Sequence, residues 1–176
     1  MKTFFILILL FPMTQSLNIF DFNKSSNLSN WYVMDDGVMG GRSAGSFKVN
    51  EDGHGLFKGY VSLENNGGFS SIRYRLSKTN IAKYSKFVIR LKGDGKNYQF
   101  RAKSSANEYQ SYITEMTTNG EWQTIEIPID DLYPSFRGRK LNMPNFPGKN
   151  LEEIAILIAN KKAESFELLI DKIELK

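Results

Sequence analysis

The chain has 176 residues, a formal charge of +4, one histidine and no cysteine. That inventory excludes a thiolate nucleophile, a tetrahedral sulfur site for zinc, a lipid-modified N-terminal cysteine and any disulfide, so the core is held by packing alone. The 23 basic residues are spread among 19 acids with no arginine-rich tract, which excludes the charge pattern of a nucleic-acid partner.

The first element is a leader over residues 1–16. Met1-Lys2-Thr3 is a short basic start, Phe4 to Phe11 is an unbroken apolar run, and Thr14-Gln15-Ser16 puts small residues at the −3 and −1 positions of a cleavage site. This is the pattern of a secretory signal peptide, and its apolar core is too short to span a bilayer. A mitochondrial transit peptide would be arginine-rich and amphipathic. Cleavage is expected before Leu17, giving a secreted or periplasmic domain over residues 17–176 with no membrane span. A chain of that length buries roughly 70% of the surface it exposes when unfolded.

Beyond Leu17 the hydrophobic period is two. After Trp31 comes a glycine-centred segment, Asp35-Asp36-Gly37-Val38-Met39-Gly40-Gly41-Arg42-Ser43, and then a hairpin turn at Glu51-Asp52-Gly53-His54-Gly55. A second glycine-centred segment, Asn65-Asn66-Gly67-Gly68-Phe69-Ser70-Ser71-Ile72-Arg73, leads into alternation at Ile72, Tyr74 and Leu76. Ile81 to Tyr84 reads as a single helical turn. Phe87, Ile89 and Leu91 alternate with polar positions, as do Tyr98, Phe100 and Ala102 after the Gly93-Asp94-Gly95 turn. Asn119-Gly120 precedes Trp122, and Ile125 and Ile127 follow. The stretch from Pro128 to Pro147, with Pro134 and Pro144 inside it, reads as a long ordered connection, because proline cannot donate to a ladder. Leu151-Glu152-Glu153 reads as one helical turn. Ile154, Ile156 and Ile158 share a face, and so do Phe166, Leu168 and Ile170. The pattern predicts an all-β sandwich of about eight to ten strands, with one face of each buried.

The chemistry-bearing candidates are few. His54, between glycines in a hairpin turn, reads as a solvated turn residue rather than a general base. A carboxylate pair for glycoside hydrolysis needs only two acids at a suitable distance, so 19 acids give that reading no specificity. Asp35-Asp36-Gly37 offers oxygens to calcium, but reads first as a turn in which aspartate bonds its own backbone. Gly37-x-x-Gly40-Gly41 imitates a phosphate loop without the lysine or the helix that such a loop needs. Gly67-Gly68 opening a strand reads as a bulge or a close backbone approach. Arg42, Arg73 and Arg101, with Trp31, Tyr74, Tyr98 and Trp122, are expected either to be paired on sheet faces or to line a polar groove of planar donors and aromatic platforms.

Taken in order, these motifs resemble the complex I intermediate-associated protein family, named after its thirty-kilodalton member. The residues that carry the resemblance are Trp31, Asp36-Gly37-Val38-Met39-Gly40-Gly41 with Ser43, and Phe57-x-Gly59. Asn65-Asn66-Gly67-Gly68-Phe69 with Ser71 and Arg73, and Gly93-Asp94-Gly95 with Tyr98 and Phe100, continue it. Trp122, Pro128, Pro134, Arg137-Gly138, Phe166-Glu167-Leu168, Ile170-Asp171 and Ile173 complete it. The resemblance implies a jelly-roll β-sandwich similar to galactose-binding-like domains. For mitochondrial members it implies a chaperone-like role in assembling respiratory complex I (NADH:ubiquinone oxidoreductase). The chain departs from the family at Ala155, often glycine there, at Glu164-Ser165 before Phe166, often Gly-Pro, and at Lys172, often tryptophan. Tyr112 stands where phenylalanine is common. A secretory leader also directs it away from the mitochondrion.

The expectation is a non-catalytic module, with no cofactor, metal or catalytic residue, that binds a protein partner outside the cytoplasm in a groove near Asp36, Arg42, Asn66 and Arg73. The alternative is a carbohydrate-binding module. The candidate binding or structural residues are Trp31, Asp36, Gly37, Met39, Gly40, Gly41, Arg42, Ser43, Asn65, Asn66, Gly67, Gly68, Arg73, Tyr98, Arg101 and Trp122.

Overall fold

The computed structural model of the chain describes residues 15–176, so the expected leader lies outside the described residues except for its last two. Period-two segments bounded by glycine and asparagine turns become strands. They are β1 (Leu17–Asp21), β2 (Trp31–Asp35), β3 (Ala44–Val49), β4 (Gly55–Val61), β5 (Ser70–Asn80), β6 (Lys86–Lys92) and β7 (Asn97–Lys103). Then follow β8 (Ser111–Thr117), β9 (Trp122–Pro128), β10 (Tyr133–Phe136), β11 (Arg139–Lys140), β12 (Asn150–Ile158) and β13 (Glu164–Leu175). They pair antiparallel into two sheets. The first runs β3-β4-β13-β6-β9, with β1 also beside β13, and the second runs β11-β10-β8-β7-β12-β5-β2. This is the expected jelly-roll sandwich.

Alternation places the core between the sheets. Phe57, Phe87, Ile89, Leu91, Phe166, Leu168 and Ile170 face inward from the first sheet, and Ile72, Phe100, Ile154, Ile156 and Ile158 from the second. Phe87 on β6 meets Phe100 on β7 at 4.8 Å between ring centroids, which ties the layers together. Each such fully buried side chain stabilises the fold by about 1.5–3 kcal/mol. One end is closed by an aromatic cluster in which Trp31 lies 4.9 Å from Tyr74, 5.0 Å from Phe47 and 5.5 Å from both Phe20 and Phe22. Trp31 is therefore core and lines no groove. The β2–β5 register sets its partner as Tyr74 and turns it inward.

Four local expectations are corrected. Leu151-Glu152-Glu153 is strand, because Leu151 pairs with Thr79 of β5 and Glu153 pairs with both Arg75 of β5 and Lys103 of β7, and these ladder bonds outweigh a local helical preference. The register with β5 shifts between Leu151 and Glu153, a bulge that accounts for the break in alternation there. The proline-rich stretch is not only a connection. It holds β10 and β11 at the edge of the second sheet, where Pro134 is tolerated beside Tyr112. The strand number rises accordingly above the range expected. Ile81 to Tyr84 is a hydrogen-bonded turn and not a helical one, with Tyr84 N–H donating to Ile81 C=O at 3.0 Å between β5 and β6.

Candidate functional site

The two glycine-centred segments meet at one carboxylate. Asp36 opens a 3₁₀ turn, Asp36–Met39, directly after β2 and is fully buried. Its Oδ1 accepts from Ser43 N–H at 2.9 Å. Its Oδ2 accepts from the Ser43 hydroxyl, from Gly68 N–H at 2.6 Å and from Phe69 N–H at 3.2 Å. A Cβ on Gly41 would overlap this carboxylate, and one on Gly67 would come within 2.6 Å of Oδ2, so both glycines make room for it. Gly40, at φ +89°, turns the chain back, and its carbonyl accepts from Asn65 Nδ2 at 3.1 Å. Burial pushes the Asp36 carboxyl up, but the donors from Ser43, Gly68 and Phe69 outweigh it and hold the group below the ordinary carboxylate range. Asp35 adds a second tie by accepting from Gly45 N–H at 2.9 Å and from the Ser70 hydroxyl. The Asp36 oxygens face donors, so this is a latch between loops and not a cation cradle.

The remaining loop residues stand outside the latch. Gly37 and Met39 are exposed. Arg42 pairs with Glu64 at 3.0 Å with both side chains solvated, a contact worth at most about 1 kcal/mol. Asn65 and Asn66 adopt left-handed φ of 55° and 59°, which asparagine tolerates. Asp36, Arg42, Asn66 and Arg73 thus do not form the single groove expected of them.

Arg73 and Arg101 come together elsewhere, on the outer face of the second sheet. Strand register lines up Tyr32, Arg73, Ala155, Arg101, Ile113 and Tyr133 in one row from β2 to β10. A neighbouring row holds Arg75, Glu153 and Lys103. Ser71, Ile113, Ala155 and Leu157 are buried on this face although they lie outside the core cluster, so long polar side chains cover them. Glu153, 3% exposed, is the hub of the face. Its Oε1 pairs with Arg73 Nη1 at 3.0 Å, its Oε2 accepts from the Tyr32 hydroxyl at 2.9 Å, and Arg75 Nε stands 3.8 Å away. Arg101 Nη2 donates to Gln99 Oε1 at 2.7 Å, and Lys103 Nζ donates to the Glu108 carbonyl at 2.6 Å. Arg73 Nε and Arg101 Nε are buried without a hydrogen-bond partner. Burial, reinforced by Arg73, pushes the Arg101 guanidinium down to about 10, which leaves it a cation at neutral pH. Burial also pushes the Lys103 ammonium down, and Glu153 partly restores it. Beyond this face, Tyr109 and Phe136 stand exposed and edge-on to each other, with centroids 5.3 Å apart.

Tyr98 and Trp122 do not reach this face. Tyr98 is core, and its hydroxyl donates to Asp94 Oδ1 at 3.0 Å. Trp122 lies on the first sheet, 4.6 Å from the His54 ring and beneath the Arg90 guanidinium. His54 is accordingly half-buried rather than solvated. Its Nδ1 sits 3.2 Å from Asp171 Oδ1 but lacks hydrogen-bond geometry. A hollow of about 460 Å³ also opens on the first sheet beside Lys58, Asp94, Lys96 and Glu167, but Lys96 and Asp94 already pair there at 2.6 Å.

Sequence reasoning missed Tyr32, Gln99, Lys103, Glu153 and Ala155. The available signal was Glu153 itself, because an acid beside an apolar run that is buried on both faces needs a partner.

This architecture defines a galactose-binding-like jelly roll. It superposes with a TM-score of 0.66 on a family 11 carbohydrate-binding module from Clostridium thermocellum in complex with a beta-1,3-1,4-mixed-linked tetrasaccharide, at 19% identity over 91% of this chain and 94% of that one. A family 29 carbohydrate-binding module matches at 0.53 and 11% identity, over 93% and 92%. An agarase matches at 0.61 and 10% identity over 93% of this chain but 25% of its own, so the likeness is to one part of that larger enzyme. At these identities the likeness is one of fold. The chain itself belongs to the family described as Complex I intermediate-associated protein 30 (CIA30), which matches residues 20–170.

Proposed function

We propose that this chain is a non-catalytic binding module that acts outside the cytoplasm and takes a carbohydrate on the outer face of its second sheet. The observation that carries the reading is the row from Tyr32 to Tyr133, with planar guanidinium donors between two tyrosines over a buried floor. Polar planar groups beside aromatic rings are what a sugar ring requires. The fold shared with two carbohydrate-binding modules supports it. The test is thermal melting of the secreted chain against a glycan panel. A bound glycan raises the midpoint by mass action, about 2.7 kcal/mol at one hundred times its dissociation constant. Tyr133→Ala should abolish that rise. A flat response across the panel would overturn the carbohydrate reading.

The second reading is a protein partner. It rests on family membership and on Met39 and Leu63, two large apolar side chains left exposed in and beside the latched loops. The extracellular location rests on the leader, and β1 starts at Leu17, pairing with Leu175, so cleavage before Leu17 would leave the sheet whole. Intact-mass measurement of the secreted protein should give an N-terminus at Leu17. A mass that retains residues 1–16 would refute the leader.

A further inference from the structure

Charge on the outer face of the second sheet is out of balance. Arg73, Arg75, Arg101 and Lys103 share it with Glu153 and with the exposed Glu115 opposite Gln99, and both Glu153 oxygens are committed toward β2 and β5, to the Tyr32 hydroxyl and to Arg73. On the other side of Ala155, Arg101 makes no ion pair among the described residues. Its acceptor is a neutral amide oxygen, and its Nε is buried without any. Lys103 donates its hydrogen bond to a carbonyl, with the Glu153 and Glu108 carboxylates near enough to support its charge in part. Folded proteins rarely withdraw a guanidinium from water without a counter-charge, because the desolvation goes uncompensated.

Ala155 lies in the same row between Arg73 and Arg101. Two strand spacings separate the arginine positions, about 10 Å, and the small Ala155 between them is covered, with Arg73 near enough to lower the proton affinity of Arg101. Guanidinium forks match the planar oxygens of a carboxylate and the equivalent oxygens of a sulfate.

We propose that the Arg73 and Arg101 guanidiniums together seat an acidic group and that the ligand is an acidic saccharide bearing a carboxylate or a sulfate ester, an inference that rests on the carbohydrate reading of the face. The neutral contacts to Gln99 and Glu108 hold Arg101 and Lys103 in place until the anion arrives. The unpaired cation is then a cost to the free protein that the ligand relieves.

The experiment is calorimetric titration of the secreted chain with oligogalacturonates, sulfated oligosaccharides and neutral mixed-linked β-glucan oligosaccharides, each at two salt concentrations. One acidic set should bind, more weakly at the higher salt, and which set binds distinguishes carboxylate from sulfate. Arg101→Gln should lower that affinity about tenfold to a hundredfold, the range expected for one charge-assisted hydrogen bond. The ligand-free midpoint of the same variant should be unchanged or higher. Equal binding of the neutral glucan to wild type and Arg101→Gln would overturn the acidic assignment and leave the carbohydrate reading standing. No binding in any set would overturn both. Equal binding of polyglutamate would also overturn the proposal, as unspecific attraction. If Arg101→Gln fails to fold, Arg101→Lys keeps the positive charge but loses the planar fork, and undiminished affinity of that variant for the acidic ligand would count against the site.

Discussion

Asp36→Ala should lower the stability of the domain by about 4 kcal/mol, among the largest single-residue effects that proteins show. The carboxylate takes hydrogen bonds from the Ser43 amide and hydroxyl and from the amides of Gly68 and Phe69. Hydrogen bonds to a charged acceptor contribute about 1.5–3 kcal/mol each, although they do not add fully, and buried donors left without an acceptor carry their own penalty. For a domain of this size the midpoint should fall by roughly 10 °C. The pH dependence separates the charge from the shape. The native carboxyl titrates below its ordinary range, so its stabilisation is complete above the unfolded value. It is lost as the pH falls below about 4 toward the lower native one. Asp36→Asn, which places an amide among donors, should be far less stable than wild type at pH 7. The gap should narrow in acid, where wild-type Asp36 itself becomes neutral. Urea melts of both proteins between neutral pH and strong acid test this, and a gap independent of pH would show that the latch depends on shape and not on charge.

Glu153→Gln should cost about 3–5 kcal/mol, the usual penalty for breaking a buried ion pair from one side. Glu153 is the carboxylate that faces Arg73, and its neighbours in the row are Arg75 and Lys103. Removing its charge leaves Arg73 partly buried without a counter-ion, close to Arg101, which already lowers its affinity for a proton in response to Arg73. Arg73→Gln should cost less, because Glu153 keeps Arg75 within 3.8 Å and Lys103 across the strand. The double variant Arg73→Met with Glu153→Leu should recover much of the loss, since apolar replacements of similar volume relieve both desolvation penalties. Chemical denaturation of the three variants decides it. Equal, small losses in all of them would mean that the pair is solvated and that the face is an ordinary wet sheet surface.

Much of this was legible before any coordinate. Alternation at Phe87, Ile89 and Leu91, and at Tyr98, Phe100 and Ala102, assigns strands and their inward sides, and all six residues are buried. The glycine segments marked themselves as special because few side chains follow such paths. The latch between them was not legible. Asp36 lies seven residues from Ser43 and more than thirty from Gly68 and Phe69, and only the β2–β5 ladder brings them together. Trp31 and Tyr32 show the same limit at closer range. Both are aromatic, and a one-residue change of register would exchange the core position for the outer one. Pairing with Tyr74 and Arg73 settles which is which.

What the amino-acid order determined by itself was local: the strands, their turns, the all-β class and the motifs of the family. Those depend on contacts between near neighbours, such as the two-residue period of a pleated strand and the freedom of glycine in a turn. What only the tertiary structure decided was which distant strands lie side by side and in what register. That choice puts Arg73, Ala155, Arg101 and Glu153 on one face and sends Trp31 and Tyr98 into the core, because side chains become neighbours across a sheet through ladder hydrogen bonds between segments that can be 80 residues apart, as Arg73 and Glu153 are.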